Sequence, residues 1–374
     1  MAPFENTRPY NDDEIPAAAA RVADNPFFDN IVHYLFPLQN SAKIRQNFLK
    51  LKTIKEFQQK YMLHAINSII AQTSSGLDSD GFEQLDKNRN YMFVANHRDI
   101  LLDAALLQVL LDNHNMDTSE ITFGDNLMQG SLVIDIGKMN KMFRIVRGGS
   151  VHDFYRNSLE VSSYMRYALL EKKQSVWIAQ RNGRTKDGND RTAIAVLKMF
   201  SISSNAPFVN NLGELNITPV ATSYEYEPCD FLKTQELYIS QYQRYIKEPG
   251  EDLNSIIKGI KQAKGGISVV VTPTITTEEL QYCDTFDKNE KFARLAKIID
   301  DRIYSHYKLW KTNYIAYDLL NNTDRFTKFY TPDEKNDFET YMQNGIRSLI
   351  GEKEELKNLF LGIYAHPVNN ILSI

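Results

Sequence analysis

The apolar positions of this chain change period twice. Over the first ninety residues they recur at intervals of three and four, in "PAAAARVADNPFFDNIVHYLF" (16–36) and "SAKIRQNFLKLKTIKEFQQKYMLHAINSIIAQ" (41–72), which predicts helices. The pattern then dissolves in "TSSGLDSDG" (73–81), which reads as a loop. From about residue 90 the apolar runs become short and rich in β-formers: "YMFVAN", "EITFGDN", "MFRIVR", "SVWIAQ", "NITPVATSYEYEP" and "GGISVVVTP". Helical stretches such as "DILLDAALLQVLLDNH" lie between them, and that alternation predicts an α/β layer with a largely parallel sheet. Helical spacing returns in "EKFARLAKIIDDRIYSHYKLWKTNYIAYDLL" and "DEKNDFETYMQNGIRSLIGEKEELKNLFLG". The expected organisation is a helical N-terminal region (1–89), an α/β domain (90–280) and a helical C-terminal region (281–374), with no internal repeat.

Composition narrows the class. A chain of 374 residues, 43% hydrophobic and 24% charged, can bury a sizeable core in one or two globular domains. Two cysteines, Cys229 and Cys283, are too few for a disulfide framework, and neither sits in a Cys/His cluster with zinc-ligand spacing, so no metal site is expected. The opening "MAPFENTRPYNDDEIP" lacks the basic flank and apolar run of a signal peptide, and no stretch approaches the roughly eighteen apolar residues of a membrane span. A cytoplasmic protein is expected, with room for a peripheral position at the inner face of the membrane. The net charge of −4 hides an asymmetry: residues 138–198 hold thirteen Lys or Arg against five Asp or Glu. That segment is where an anionic ligand would go, provided its cations converge; nucleic acid is not an expected partner.

Three stretches carry candidate chemistry. In "YMFVANHRDILLD" a strand ends near Ala95, His97 sits on the turn and a helix follows within a few residues. Such turns at the carboxyl edge of a parallel sheet expose side chains and helix amides together. A histidine there can act as general base if a carboxylate fixes its tautomer, and Asp103 and Asp99 are the two within reach. The second stretch, "WIAQRNGRTKDGNDRT", leads an apolar strand into a basic turn with Arg181, Arg184 and Lys186 around Gly183, an anion cradle by composition. The third, "NKMFRIVRGG", sets Lys141, Arg144 and Arg147 along another apolar strand. A serine hydrolase is disfavoured by the absence of G-x-S-x-G. A protein kinase is excluded because "HRDILLDA" has Ala104 where the catalytic loop needs Asn, and no D-F-G or glycine-rich phosphate loop is present.

Taken in order, these stretches resemble the phospholipid/glycerol acyltransferase family over roughly residues 90–275. Asn96, His97 and an aspartate are similar to its N-H-x(4)-D block; "FRIVR" resembles the second block, an apolar strand ending in arginine. "QRNGRTKDG" resembles the E-G-T-R-S block through Gly183, Arg184 and Thr185, "ITPVA" the fourth, and "KGGISVVVTPTI" the later G-x-V-x-V strand. Two departures stand out: Asp103 is one residue further from His97 than the usual spacing, and Asn182 replaces the glutamate of the third block, keeping hydrogen bonding but losing charge.

The resemblance implies a glycerolipid acyltransferase-like α/β fold, a largely parallel sheet flanked by helices, with helical extensions at both ends. It implies transfer of a fatty acyl group from the thioester of acyl-CoA or acyl carrier protein to a glycerolipid hydroxyl, with no cofactor beyond that co-substrate. His97 would be the base and Asp103, or else Asp99, its partner. Asn96, Arg98, Lys141, Arg144, Arg147, Asn182, Gly183, Arg184 and Thr185 would contact substrate, the arginines holding an acceptor phosphate. The preferred acceptor is 1-acylglycerol 3-phosphate; glycerol 3-phosphate, a lyso-aminolipid, or a non-catalytic lipid-binding role are the alternatives.

Overall fold

The computed structural model describes residues 4–128, 130–146 and 150–374. Seven strands form one sheet: β1 (Ser74–Asp80), β2 (Met92–Ala95), β3 (Glu120–Gly124), β4 (Met142–Ile145), β5 (Val176–Ala179), β6 (Ile217–Tyr224) and β7 (Gly265–Val271). Their order across the sheet is β1-β7-β6-β2-β5-β3-β4. The pairs β6-β2, β2-β5, β5-β3 and β3-β4 are parallel, whereas β7 runs antiparallel to β6 and carries β1 parallel to itself. The sheet is therefore largely parallel, with helices on both faces and helical segments at both ends of the chain, an α/β fold.

The central strand shows why this sequence makes a covered sheet. All four residues of β2 are buried, so it reads as a continuous apolar run rather than an alternating one. Met92 and Val94 turn into the core formed with the Val151–Leu170, Ile194–Ser201 and Glu290–His306 helices. Phe93 and Ala95 turn the other way, against the Leu63–Thr73 and Leu102–Asn113 helices. Helices from both flanking regions thus cover the sheet. Smaller cores join the first helices, through Ile15, Phe28, Phe48 and Phe57, and the last ones, through Phe338, Phe360 and Tyr364.

One expectation fails here. The stretch over 73–81, read as a loop, holds strand β1 at the sheet edge. Its only large apolar residue is Leu77, so no alternation marks it; the strand forms because β7 offers a backbone ladder, with Asp78 pairing Ser268 and Asp80 pairing Val270. Acidic side chains on an outermost strand also discourage further strand addition.

Candidate active site

Because β2, β3, β4, β5 and β6 are parallel, their carboxyl ends share one edge, and the turns leaving them meet there. The turn after β2 brings His97 and Asp103 together: His97 Nδ1 lies 2.9 Å from Asp103 Oδ2. The same oxygen accepts the Arg98 amide at 2.6 Å and the Asp99 amide at 2.9 Å. Asp103 Oδ1 accepts the Tyr224 hydroxyl at 2.7 Å. Burial, and then the Asp103 charge, hold the Tyr224 phenol well above its ordinary range, so it stays protonated and donates. With Nδ1 donating to a carboxylate, the neutral ring keeps its lone pair on Nε2, the arrangement a general base needs.

Asp99 is differently occupied. Its Oδ1 accepts the amides of Leu101 and Leu102 at 2.9 and 2.8 Å, starting the following helix. Burial, then the neighbouring Asp103 charge, push its carboxyl pKa up.

The residues on either side of His97 are buried anchors. Asn96 donates to Asp190 Oδ2 and to the Thr222 carbonyl, both at 2.9 Å, and accepts the Thr222 amide at 2.7 Å. Arg98 donates to Asp190 Oδ2 at 2.6 Å, to Glu227 at 3.2 Å and to the Gly188 carbonyl at 3.2 Å. Burial opposes its charge, but Asp190, Tyr307 and Glu227 more than offset this and hold the guanidinium well above its usual range. Lys233 completes the cluster, donating to Glu227 and to the Arg98 carbonyl. Thr185 is buried too, its hydroxyl on Asp190 Oδ1 and its amide on the His97 carbonyl, each at 2.7 Å. Asn96, Arg98 and Thr185, expected to contact substrate, are thus buried residues that hydrogen-bond within the protein and anchor the turn.

His97 opens onto a hollow of about 270 Å³ between the Leu102–Asn113 helix and the edge formed by β3 and β5. Its apolar wall includes Ile100, Leu101, Ala104, Phe123, Leu127 and Trp177, whose ring meets the His97 ring edge to face at 5.7 Å. The polar side comes from the loop after β5: Asn182, Gly183, Arg184 and Lys186. Gly183 has φ +74° with open space where a Cβ would stand, so the loop needs a residue tolerant of the left-handed region beside the hollow. Lys186 is paired with Glu236 and Lys247 with Asp252. Arg184 has no ion pair among the described residues, and one of its terminal nitrogens is buried without a partner.

Lys141 and Arg144 do not line this hollow. Lys141 lies at the amino end of β4, on the opposite edge, donating to the Thr118 carbonyl at 2.9 Å and Gln174 at 2.7 Å; burial lowers its pKa to about 8. Arg144 is on β4 with Asp125 at 3.7 Å and does not line the hollow. Arg147 lies outside the described residues. Elsewhere in the basic segment Arg166 pairs with Glu214 and Lys172 with Glu120, so carboxylates from outside the segment neutralise much of its excess. Asp190 and Tyr224 are the residues sequence reasoning missed. Among the described residues no group of three His, Cys, Asp or Glu could hold a metal ion.

No family model matches the chain, and no curated protein matches it. Among solved structures it is similar to the crystal structure of the 1-acyl-sn-glycerophosphate (LPA) acyltransferase, PlsC, from Thermotoga maritima, at 14% identity and a TM-score of 0.37, over 76% of this chain and 91% of that chain. At that score the likeness assigns no role to any residue here. Among the described residues no helix is long and apolar enough to cross a membrane.

Proposed function

We propose that this protein is an O-acyltransferase that moves a fatty acyl group from a thioester donor to the free hydroxyl of 1-acylglycerol 3-phosphate. The observation that carries the reading is His97, fixed through Nδ1 to Asp103, at a hollow that is apolar on one side and has on the other Arg184, which forms no ion pair among the described residues. The hydroxyl oxygen attacks the thioester carbonyl carbon while its proton passes to His97 Nε2. The C–S bond then breaks, its electron pair leaves with sulfur, and the proton moves from Nε2 to that thiolate. Asp103 stabilises the transient imidazolium, as a triad carboxylate does, and no acyl-enzyme forms. General-base assistance of this kind is worth about two to four powers of ten in rate.

The acceptor preference rests on charge. Lys186 and Lys247 are already neutralised, leaving Arg184 to meet one phosphate, and the apolar wall suits a substrate with a hydrocarbon chain. A labelled long-chain acyl-CoA offered with 1-acylglycerol 3-phosphate, glycerol 3-phosphate, a lyso-aminolipid and monoacylglycerol tests this. Transfer should be fastest to the first; transfer to none of them would refute the reading.

A further inference from the structure

The Glu251–Lys261 helix has two different faces. Inward it is small: Ser255 and Gly259 are buried, the Ser255 carbonyl meets Cys229 Sγ at 3.3 Å, and a Cβ at Gly259 would stand 2.2 Å from Asp99 Oδ2. Ile260 turns in against the core. The helix therefore lies directly on the turn that carries His97. Outward it keeps apolar residues that packing does not use: Leu253 is 57% exposed and Ile257, one turn on, 43%. Ile246, just before the helix, is 78% exposed.

Cations frame these side chains. Among the described residues no ion pair engages Arg244, Lys258 or Lys261, and Lys261 Nζ sits 5.6 Å from the ring of Tyr34, itself partly exposed. The acids of this stretch are largely committed: Asp252 to Lys247 and Asn126, and Glu251 to the Tyr245 hydroxyl. The outer surface is thus apolar at its centre and positive at its margin, with Tyr34 beside it. Lys247 and Asp252, adjoining Ile246 and Leu253 in sequence, line the hollow at His97.

We propose that this helix face docks the protein on an anionic lipid surface, with Ile246, Leu253 and Ile257 entering the interface and Lys258 and Lys261 meeting headgroup phosphates. Interfacial helices have this composition, because lysine stems lie along apolar surface while their charges stay in the headgroup layer. The proposal rests on the acyltransferase reading, adding that the lipid acceptor reaches the hollow from the membrane plane without crossing water.

Sedimentation with vesicles tests it independently of turnover. The protein should co-sediment with vesicles of mixed phosphatidylglycerol and phosphatidylcholine and far less with phosphatidylcholine alone. The exposed pair Leu253→Glu/Ile257→Glu should weaken binding to the mixed vesicles by at least about tenfold, and Lys258→Glu/Lys261→Glu should remove the preference for anionic lipid. Unchanged far-ultraviolet circular dichroism would show that the variants fold, and acyl transfer to a short-chain acceptor dissolved as monomers should be unaltered in both. The proposal is overturned if the native protein does not bind mixed vesicles, if the folded double variants bind as well as it does, or if the Leu253/Ile257 face instead mediates concentration-dependent self-association without vesicle binding.

Discussion

Tyr224 donates its hydroxyl to Asp103 at 2.7 Å, on the carboxylate oxygen that His97 does not use. That bond disperses charge that would otherwise fall on His97. Removing it in Tyr224→Phe should strengthen the hold of Asp103 on a protonated ring, so the acid limb of the kcat/KM profile should move to higher pH while KM changes little. A purely structural tyrosine would lower stability and leave the pH profile in place.

Asp190 binds both neighbours of His97, Asn96 and Arg98. Removing one partner of a buried pair typically costs about 3–5 kcal/mol, because the other charge stays buried and uncompensated. Asp190→Asn should therefore lower the denaturant midpoint strongly with its slope unchanged. A loss below about 1 kcal/mol would mean that Glu227 and Gly188 hold Arg98 unaided.

Among the described residues Arg184 is the cation lining the hollow that forms no ion pair. Lysine cannot reproduce a bidentate phosphate contact. Arg184→Lys should raise KM for a phosphorylated acceptor several-fold and leave KM for acyl-CoA nearly unchanged. Equal weakening of both substrates would assign the residue to the donor's phosphates.

Asp300 accepts the amide and hydroxyl of Thr192, at the end of the loop that carries Arg184. Burial raises its carboxyl pKa to about 6, above the ordinary 3.8. The folded state thus binds the proton more tightly than the unfolded chain. Stability from this group is full below about pH 4 and falls as pH rises through 6, by at most about 3 kcal/mol. Asp300→Asn, which keeps the accepting oxygen, should flatten that slope in urea melts at pH 4 and pH 7. An unchanged slope would contradict the assignment.

The sequence made legible what is local. Six strands carry apolar runs, and His97, Asp103 and the loop around Gly183 and Arg184 lie on turns that parallel pairing brings to one edge. What it hid is long-range pairing. Strand β1 has no alternation and exists through β7, far along the chain. Nothing in "DGNDRT" marks Asp190 as the anchor rather than Asp187, and Tyr224 reaches Asp103 across 121 positions. Arg98 looked like a basic residue beside a catalytic histidine, but its two carboxylates come from Asp190 and Glu227. Charge counting misled for the same reason, since Glu120, Glu214 and Glu236 lie outside the basic segment they neutralise.

The central claim is that His97 moves a proton. It is tested most directly by kcat for acyl transfer to 1-acylglycerol 3-phosphate in His97→Ala against the unmodified protein, with folding checked in both. A drop of at least about a hundredfold is expected in a protein that still folds, since the change removes the group that takes the proton. A folded His97→Ala protein that turns over within a few-fold of the original would contradict it.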